Sequence, residues 1–221
     1  SLRTAFSLWK GVEPVTDYVT IAGQAEAEFI ERKSRFIGCC RHVETEAQAL
    51  AFLEEKRKEH WDATHNVFAY VLREGQQKRC SDDGEPQGTA GVPVLDVLQK
   101  AGVTDICMVV TRYFGGILLG AGGLVRAYTH GAAIALEAAE KRHMTLCRLL
   151  RLRMDYSLYG KVSYILPKFN IRTEKADFAE NVTLTLLIKA SRAEAFEAEL
   201  TELTNGAVAA VTVDEYCEDM A

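Results

Sequence analysis

Apolar and polar positions alternate most regularly in the second half of the chain. Leu150, Leu152 and Met154 alternate with charged residues, which predicts a strand with one buried face. The same period of two recurs over residues 182–188 and again over residues 211–213. These segments are therefore predicted to be strands of one sheet that is buried on a single side.

Helical patterns lie between these strands. One predicted helix begins at Ser157. A second begins where Ser191 and Glu194 have the spacing of a capping box, and it ends at residues 205–206. A weaker strand is predicted over residues 171–178. The resulting order, β-α-β-β-α-β, is the ferredoxin-like arrangement, with both helices on one face of an antiparallel sheet.

The first half of the chain predicts a less regular series of elements. Residues 20–43 are predicted to be extended, with a charged kink at residues 31–35. Thr45 and Gln48 have the spacing of a capping box and predict the start of a helix. The elements predicted after it are a strand over residues 66–72, a short helix after Pro93 that stops at Gly102, a strand over residues 106–111 and a long helix over residues 122–141.

The chain has 221 residues, which suits one large domain or two domains of about 100 residues each. The change of pattern near residues 142–146 favours two domains without a long linker. We therefore predict an α+β protein with an N-terminal extension over residues 1–18, a first domain over residues 19–141 and a ferredoxin-like second domain over residues 146–218.

The composition is that of an ordinary soluble globular protein, with 48% apolar and 26% charged residues. No window approaches about 18 consecutive apolar residues, and the chain does not start with a secretion signal. We therefore expect a cytoplasmic protein without a membrane partner. The net charge of −5 argues against bulk electrostatic binding to nucleic acid, so any RNA contact would need a local basic patch.

The six cysteines give no Cys-x-x-Cys motif, so we expect reduced thiols rather than metal ligands. Cys39 and Cys40 are adjacent and are predicted to point to opposite faces of a strand.

Candidate chemistry concentrates in a glycine-rich stretch between a predicted strand and the long helix. Amides at the start of that helix would be free to bind an anion, and Arg112 and Arg126 would be able to reach the same anion. The predicted anion or phosphate site consists of Arg112, Gly115, Gly116, Gly120, Gly122, Gly123 and Arg126. A second interpretation, that the glycines serve only tight packing, stays open.

Sequence motifs for nucleotides, metals and catalysis are missing or incomplete in this region. The stretch lacks the Lys-Ser/Thr of a Walker A loop and the last glycine of a dinucleotide fingerprint. Asp82, Asp83 and Glu85 lack the spacing of a calcium loop, and we favour a role for Asp82 and Asp83 in capping amides or pairing with Arg112 or Arg126. His60 and His65 do not have same-face helical spacing. We assign no catalytic residue, no metal and no cofactor.

Local basic edges supply further candidates for phosphate contacts. Lys33 and Arg35 lie in the charged kink, and Arg148, Arg151 and Arg153 lie on the first C-terminal strand. For each of them a simple solvated face is the alternative.

Several blocks in order resemble the IMPACT/YigZ family over about residues 20–140. They are residues 33–37 (Lys-Ser-Arg-Phe-Ile), 62–66 (Asp-Ala-Thr-His-Asn), 82–91 (Asp-Asp-Gly-Glu-Pro followed by Gly-Thr-Ala-Gly) and 112–128, from Arg-Tyr-Phe-Gly-Gly to Gly-Gly-Leu-Val-Arg-Ala-Tyr. The second half resembles, by pattern, the ferredoxin-like domain appended in bacterial members.

The resemblance implies a first domain with the fold of domain 2 of ribosomal protein S5, as in domain IV of the translocation elongation factor. The second domain would be similar to the last domain of that factor. Eukaryotic relatives temper an amino-acid-starvation kinase through its activator and carry an extra N-terminal domain. The 221 residues leave no length for that domain, so we do not expect this regulatory role.

For the bacterial branch the resemblance implies association with RNA or the ribosome. We therefore expect a non-enzymatic binding protein, with translation regulation as the implied context. One alternative is an enzyme acting on a phosphorylated or carboxylated small molecule, with Asp82 or Asp83 as acid or base. Another is a protein-interaction module with an exposed aromatic surface. That aromatic surface would lie around Tyr113, Phe114 and Tyr128. The further candidate surface consists of Lys33, Arg35, His65, Asp82, Asp83, Glu85, Tyr113 and Tyr128.

Overall fold

A computed structural model describes residues 17–220 of the chain. These residues divide into two compact units: an N-terminal unit of Tyr18–Arg142, and a C-terminal unit that begins at His143 and also includes Asp17. The predicted N-terminal extension lies outside the described residues except for Asp17 and Tyr18. Among the described residues, no helix has both the length and the apolar character needed to cross a membrane.

The strands of the N-terminal unit are β1 (Tyr18–Ile21), β2 (Gln24–Glu31), β3 (Ser34–His42), β4 (His65–Val71), β5 (Lys78–Ser81) and β6 (Ile106–Tyr113). Five of them form an antiparallel sheet with the order β2-β3-β6-β4-β5, on which the unit is built. Its helices are α1 (Glu46–Glu59), α2 (Gly91–Lys100) and α3 (Ala121–Glu137), with a short 3₁₀ turn at Glu74–Gln76. β1 lies outside this sheet and makes a parallel bridge from Val19 to Val103.

The sheet is buried on both faces, because α1 covers one side and α2 and α3 cover the other. Cys39 packs in the cluster that contains Phe52 of α1, and Cys40 packs in the cluster that contains Tyr128 of α3. The predicted opposite orientation of these two thiols is confirmed. Burial raises the pKa of Cys39 to about 12 and that of Cys40 to about 11, so both stay protonated and unreactive near neutral pH.

The charged kink predicted at residues 31–35 is a hairpin turn, so the prediction of one extended segment was wrong. β2 and β3 pair in register from Gln24↔Arg41 to Glu31↔Ser34, which leaves Arg32 and Lys33 as the turn. Both turn residues have positive φ, 45° and 64°. Hairpin turns with two positive φ angles match the twist of the flanking strands, but they usually contain Asn and Gly, and this signal is missing here.

Helix α3 packs very closely on β3. A Cβ atom added to Gly38 would lie 2.2 Å from the carbonyl oxygen of Gly131, so the missing side chain lets the helix and strand backbones approach. The helix ends at Glu137 rather than at the predicted residue 141, because the next strand of the chain begins at Lys141. The close contact between Gly38 and Gly131 holds α3 against the sheet. It thereby also positions the loop that leads into the first turn of α3.

The C-terminal unit has the predicted ferredoxin-like order. It contains β7 (Lys141–Met154, whose first two residues belong to the N-terminal unit), α4 (Tyr156–Ile165), a 3₁₀ turn (Pro167–Phe169), β8 (Arg172–Phe178), β9 (Val182–Lys189), α5 (Ala190–Thr204) and β10 (Ala210–Asp219). The strands pair antiparallel in the order β10-β7-β9-β8. Leu150, Leu152 and Phe196 are fully buried between sheet and helices. The α+β fold with two domains is thus confirmed.

The predicted helix caps have mixed outcomes. Thr45 and Gln48 form the expected capping box of α1, and the left-handed Asn205 ends α5. The caps predicted at Ser157 and Ser191 are wrong, because both residues lie inside their helices. β9 runs directly into α5, so that helix begins without a side-chain cap.

Candidate functional site

Asp82 holds the loop between β5 and α2 in place. Its carboxylate accepts backbone N–H bonds from Gly88 at 2.8 Å, Ala90 at 3.1 Å and Gly91 at 2.7 Å, at the start of α2. Burial alone would raise the pKa of Asp82, but these three N–H groups outweigh it and lower the pKa. The expected amide-capping role is confirmed, and Asp82 is structural.

Asp83 also has a structural environment. Its carboxylate accepts from the backbone N–H of Asn66 at 2.6 Å and from the Arg57 guanidinium at 3.1 Å. The alternative prediction, that Asp82 or Asp83 pairs with Arg112 or Arg126, is wrong. The partner of Asp83 is an arginine of α1 instead, 26 residues away in sequence.

Glu85 organises a buried polar cluster beneath α3. One carboxylate oxygen accepts from Arg112 Nη1 at 2.7 Å and from the Tyr128 hydroxyl at 2.7 Å. The side chains of Arg112 and Glu85 are only 6% and 4% exposed, so the ion pair is almost completely shielded from water. Burial, with the bond to Glu85, raises the pKa of Tyr128. Tyr128 is fully buried, so its predicted place on an exposed aromatic surface is wrong.

His65 also belongs to this cluster. Its Nδ1 lies 2.7 Å from the backbone carbonyl oxygen of Asp83. A carbonyl only accepts hydrogen bonds, so Nδ1 is the donor in this contact. The other ring nitrogen, Nε2, lies 3.7 Å from the second carboxylate oxygen of Glu85. The ring is therefore held between Asp83 and Glu85.

A cavity of about 380 Å³, here called the α3 cavity, opens beside this cluster. Its polar lining includes Thr64, His65, Glu85 and Arg112, and its other lining residues are Pro86, Phe114, Leu118, Leu119, Gly120, Ala121 and Leu124. α3 begins here after Gly120, which has φ 71° and gives the helix no side-chain cap. Arg112 Nε is buried and has no partner among the described residues. The cavity thus combines apolar walls, unused donor capacity and a helix N-terminus.

Arg126 lines a different depression, here called the α3 groove. The groove has a volume of about 470 Å³ and lies between the β2–β3 turn and α3. Its lining comprises Phe29, Ile30, Glu31, Arg32, Leu119, Gly123, Arg126, Ala127 and His130. Arg112 and Arg126 therefore line two different depressions, and the prediction that they share one anion pocket is wrong. The groove and the α3 cavity are neighbours that share Leu119.

Arg32 belongs to the charged kink of residues 31–35, which the sequence offered for phosphate contacts, whereas His130 was not predicted as a site residue. His130 lies four positions after Arg126, so the two residues share one face of a helix. This spacing could have predicted that they line the same surface. Its ring meets Phe29 edge-on, with 4.6 Å between the ring centroids. Arg32 lies in the turn and reaches across the groove to the carbonyl oxygen of Leu118 at 3.4 Å.

The glycines of the predicted anion site have different roles. A Cβ atom at Gly115 would lie 2.1 Å from the backbone of Lys33, so the packing interpretation accounts for this position. Gly116 has φ 83° and turns the chain between β6 and α3. Gly120 and Gly122 stand at the open N-terminus of α3, and Gly123 lines the α3 groove.

The remaining candidate residues lie outside both depressions. Lys33 is exposed in the turn, and Arg35 pairs with Glu28, with 2.9 Å between Arg35 Nε and the carboxylate. The Tyr113 hydroxyl lies 3.0 Å from His60 Nδ1. In the C-terminal unit Arg148 pairs with Glu215, while Arg151 and Arg153 are exposed. Across residues 17–220, no group of three or more His, Cys, Asp or Glu side chains is placed to hold a metal ion.

Similarity to known domains and proteins shows the family of this chain. The Impact N-terminal domain matches residues 32–136, and a domain of unknown function, DUF1949, matches residues 152–207. The chain is 42% identical to the IMPACT family member YvyE of Bacillus subtilis, over 86% of this chain and 88% of that protein. The chain belongs to the IMPACT family. The IMPACT family member YigZ of Escherichia coli is 36% identical, over 83% of this chain and 92% of its own length.

One further relative matches a shorter part of this chain, and one match is a solved structure. The Protein IMPACT homolog of Dictyostelium discoideum is 37% identical over 45% of this chain and 29% of its own length. A solved structure titled "Crystal structure of an hypothetical protein" is 33% identical and covers 91% of this chain and 99% of its own, with a TM-score of 0.58. The IMPACT-family resemblance seen in the sequence is therefore confirmed.

Proposed function

We propose that this chain is an RNA-binding protein and that the α3 groove contacts the phosphate backbone, with the ribosome as the RNA-rich particle that the family resemblance implies. The observation that carries the proposal is the meeting of Arg32, Arg126 and His130 along one groove. Arg32 comes from the β2–β3 turn and the other two from α3, so the fold gathers them from separate segments.

Charge and shape support phosphate binding at this place. The whole chain carries a net charge of −5, so binding has to be local, and the groove has two arginines against one acidic residue, Glu31. Arginine suits phosphate because its planar fork of N–H groups matches the phosphate oxygens. Phe29 and the exposed Ile30 add an apolar strip along which the sugar or base can pack.

Replacing Arg126 with alanine is expected to weaken RNA binding about equally for all sequences. The plot of log K against log salt should lose about one unit of slope, because one phosphate contact and its counterion release are removed. Filter binding over a salt series measures both quantities. Arg192→Ala, an exposed arginine on α5, is the matched control and should leave the slope unchanged.

The decisive measurement is wild-type binding at low salt, where phosphate contacts are strongest. An absence of RNA binding there would refute the proposed function. Binding that persists with an unchanged slope in a correctly folded Arg126→Ala protein would move the phosphate contact away from the α3 groove.

A further inference from the structure

We propose that the α3 cavity receives one unstacked base of a single-stranded RNA whose backbone runs along the α3 groove. The inference rests on the proposed RNA-binding function and specifies its ligand as an unpaired nucleotide. It follows from three features of the N-terminal unit: the contiguity of groove and cavity, the chemistry of the cavity lining, and the open helix end between them.

The groove and the cavity are neighbours at the start of α3. Leu119 lines both, while Arg126 lies on the groove side and Arg112 on the cavity side. Gly120 and Ala121 begin the helix at the cavity rim, where no side chain caps the first amides. Free amides at a helix N-terminus favour a phosphate oxygen. A backbone that leaves Arg126 therefore finds its next anion position at the mouth of the cavity.

The cavity lining matches a planar group with polar edges. Phe114 is 45% exposed at the cavity, and the Arg112 guanidinium carbon lies 5.4 Å from the centre of its ring. An unstacked RNA base typically packs on such an aromatic ring or on a guanidinium plane. Pro86 and Leu124 supply apolar contact on the other walls.

The polar residues of the cavity can read the edge of a base. Arg112 donates to Glu85 through Nη1, which leaves further donors on the same guanidinium, and its Nε has no partner among the described residues. The Glu85 carboxylate accepts from an exocyclic amino group, and the Thr64 hydroxyl both donates and accepts. A phosphate alone would use none of the apolar walls and would be opposed by the charge of Glu85. A base satisfies both kinds of lining.

A base inside a duplex cannot enter a cavity, because it is stacked and paired on its edge. Wild-type protein is therefore expected to bind a labelled single-stranded RNA more tightly than a blunt duplex RNA of the same length at the same salt concentration. Phe114→Ala should weaken binding of the single strand about tenfold or more and leave the duplex unchanged. Phe114→Tyr, which keeps the aromatic face, should restore the affinity for the single strand.

Phe178→Ala is the matched control, because Phe178 is also exposed, at 55%, but lies on β8 of the C-terminal unit. It should change neither affinity. Circular dichroism verifies folding, and Phe114→Leu replaces the alanine variant if that variant is unstable. Equal affinity for the two RNAs, or a Phe114→Ala protein with normal single-strand binding, overturns the cavity inference while RNA binding stands. If neither RNA binds at low salt, the proposed function fails and the inference falls with it.

Discussion

Replacing Glu85 with alanine is expected to lower the free energy of unfolding of the protein by about 3–5 kcal/mol. The change removes the acceptor of both Arg112 and Tyr128. Arg112 would keep a charge that is almost completely buried, and burying an unpaired charge is far more costly than losing a surface ion pair. Chemical denaturation followed by circular dichroism measures the loss.

A set of variants separates charge from packing at this position. Glu85→Gln keeps the shape and one oxygen acceptor and should cost less than the alanine change. In a double-mutant cycle with Arg112→Met, the double variant should be more stable than Glu85→Ala alone, because no unpaired charge remains. Glu137→Ala, at an exposed position near the end of α3, is the control and should lie within about 0.5 kcal/mol of wild type. A Glu85→Ala loss as small as that of the control would contradict the buried-pair interpretation.

Replacing Asp82 with alanine is expected to cost about 3 kcal/mol near neutral pH, because three backbone N–H groups lose a charged acceptor. The pKa of Asp82 is lowered in the folded protein, so its carboxylate stabilises the fold above the unfolded pKa of about 3.9. This contribution is lost as the pH falls through the lower folded pKa. The stability difference between wild type and variant should therefore shrink in acid.

Unfolding curves of both proteins from neutral to strongly acidic pH provide the measurement. Asp82→Asn is the conservative variant and should retain the bonds to Ala90 and Gly91, which both go to the same oxygen. Asp96→Ala, on the exposed side of α2, is the control because its ion pair with Lys100 is solvated. A stability difference that stays constant down to acidic pH would exclude the carboxylate as its cause.

The C-terminal fold could be predicted from the sequence because one face of each of the two central strands, β7 and β9, is buried. The alternation at Leu150, Leu152 and Met154 reports directly which face meets the helices. The β2–β3 hairpin could not be predicted in the same way, since Arg32 and Lys33 give no turn signal and adopt positive φ through their surroundings. The conformation of this turn is set by its tertiary contacts and not by the local preferences of its two residues.

Only some residues of the candidate site were predicted from the sequence, and their arrangement was not. Arg112 and Arg126 are close in sequence, yet a strand end and a helix face direct them into different depressions. The true partner of Arg112 is Glu85, which belongs to a loop 27 residues earlier. Such long-range pairing follows from the order of the strands in the sheet. It cannot be predicted from the spacing of the residues along the sequence.

The turn at Arg32 and Lys33 has a consequence for engineering. Residues with side chains adopt left-handed angles at a cost of about 1–2 kcal/mol each, and glycine or asparagine would reduce that cost. Replacing Arg32 in this way would stabilise the hairpin but would remove a cation from the α3 groove. At Arg32, a change that favours the stability of the hairpin therefore works against the proposed phosphate contact, whereas Lys33 lies outside the groove and could be changed without this conflict.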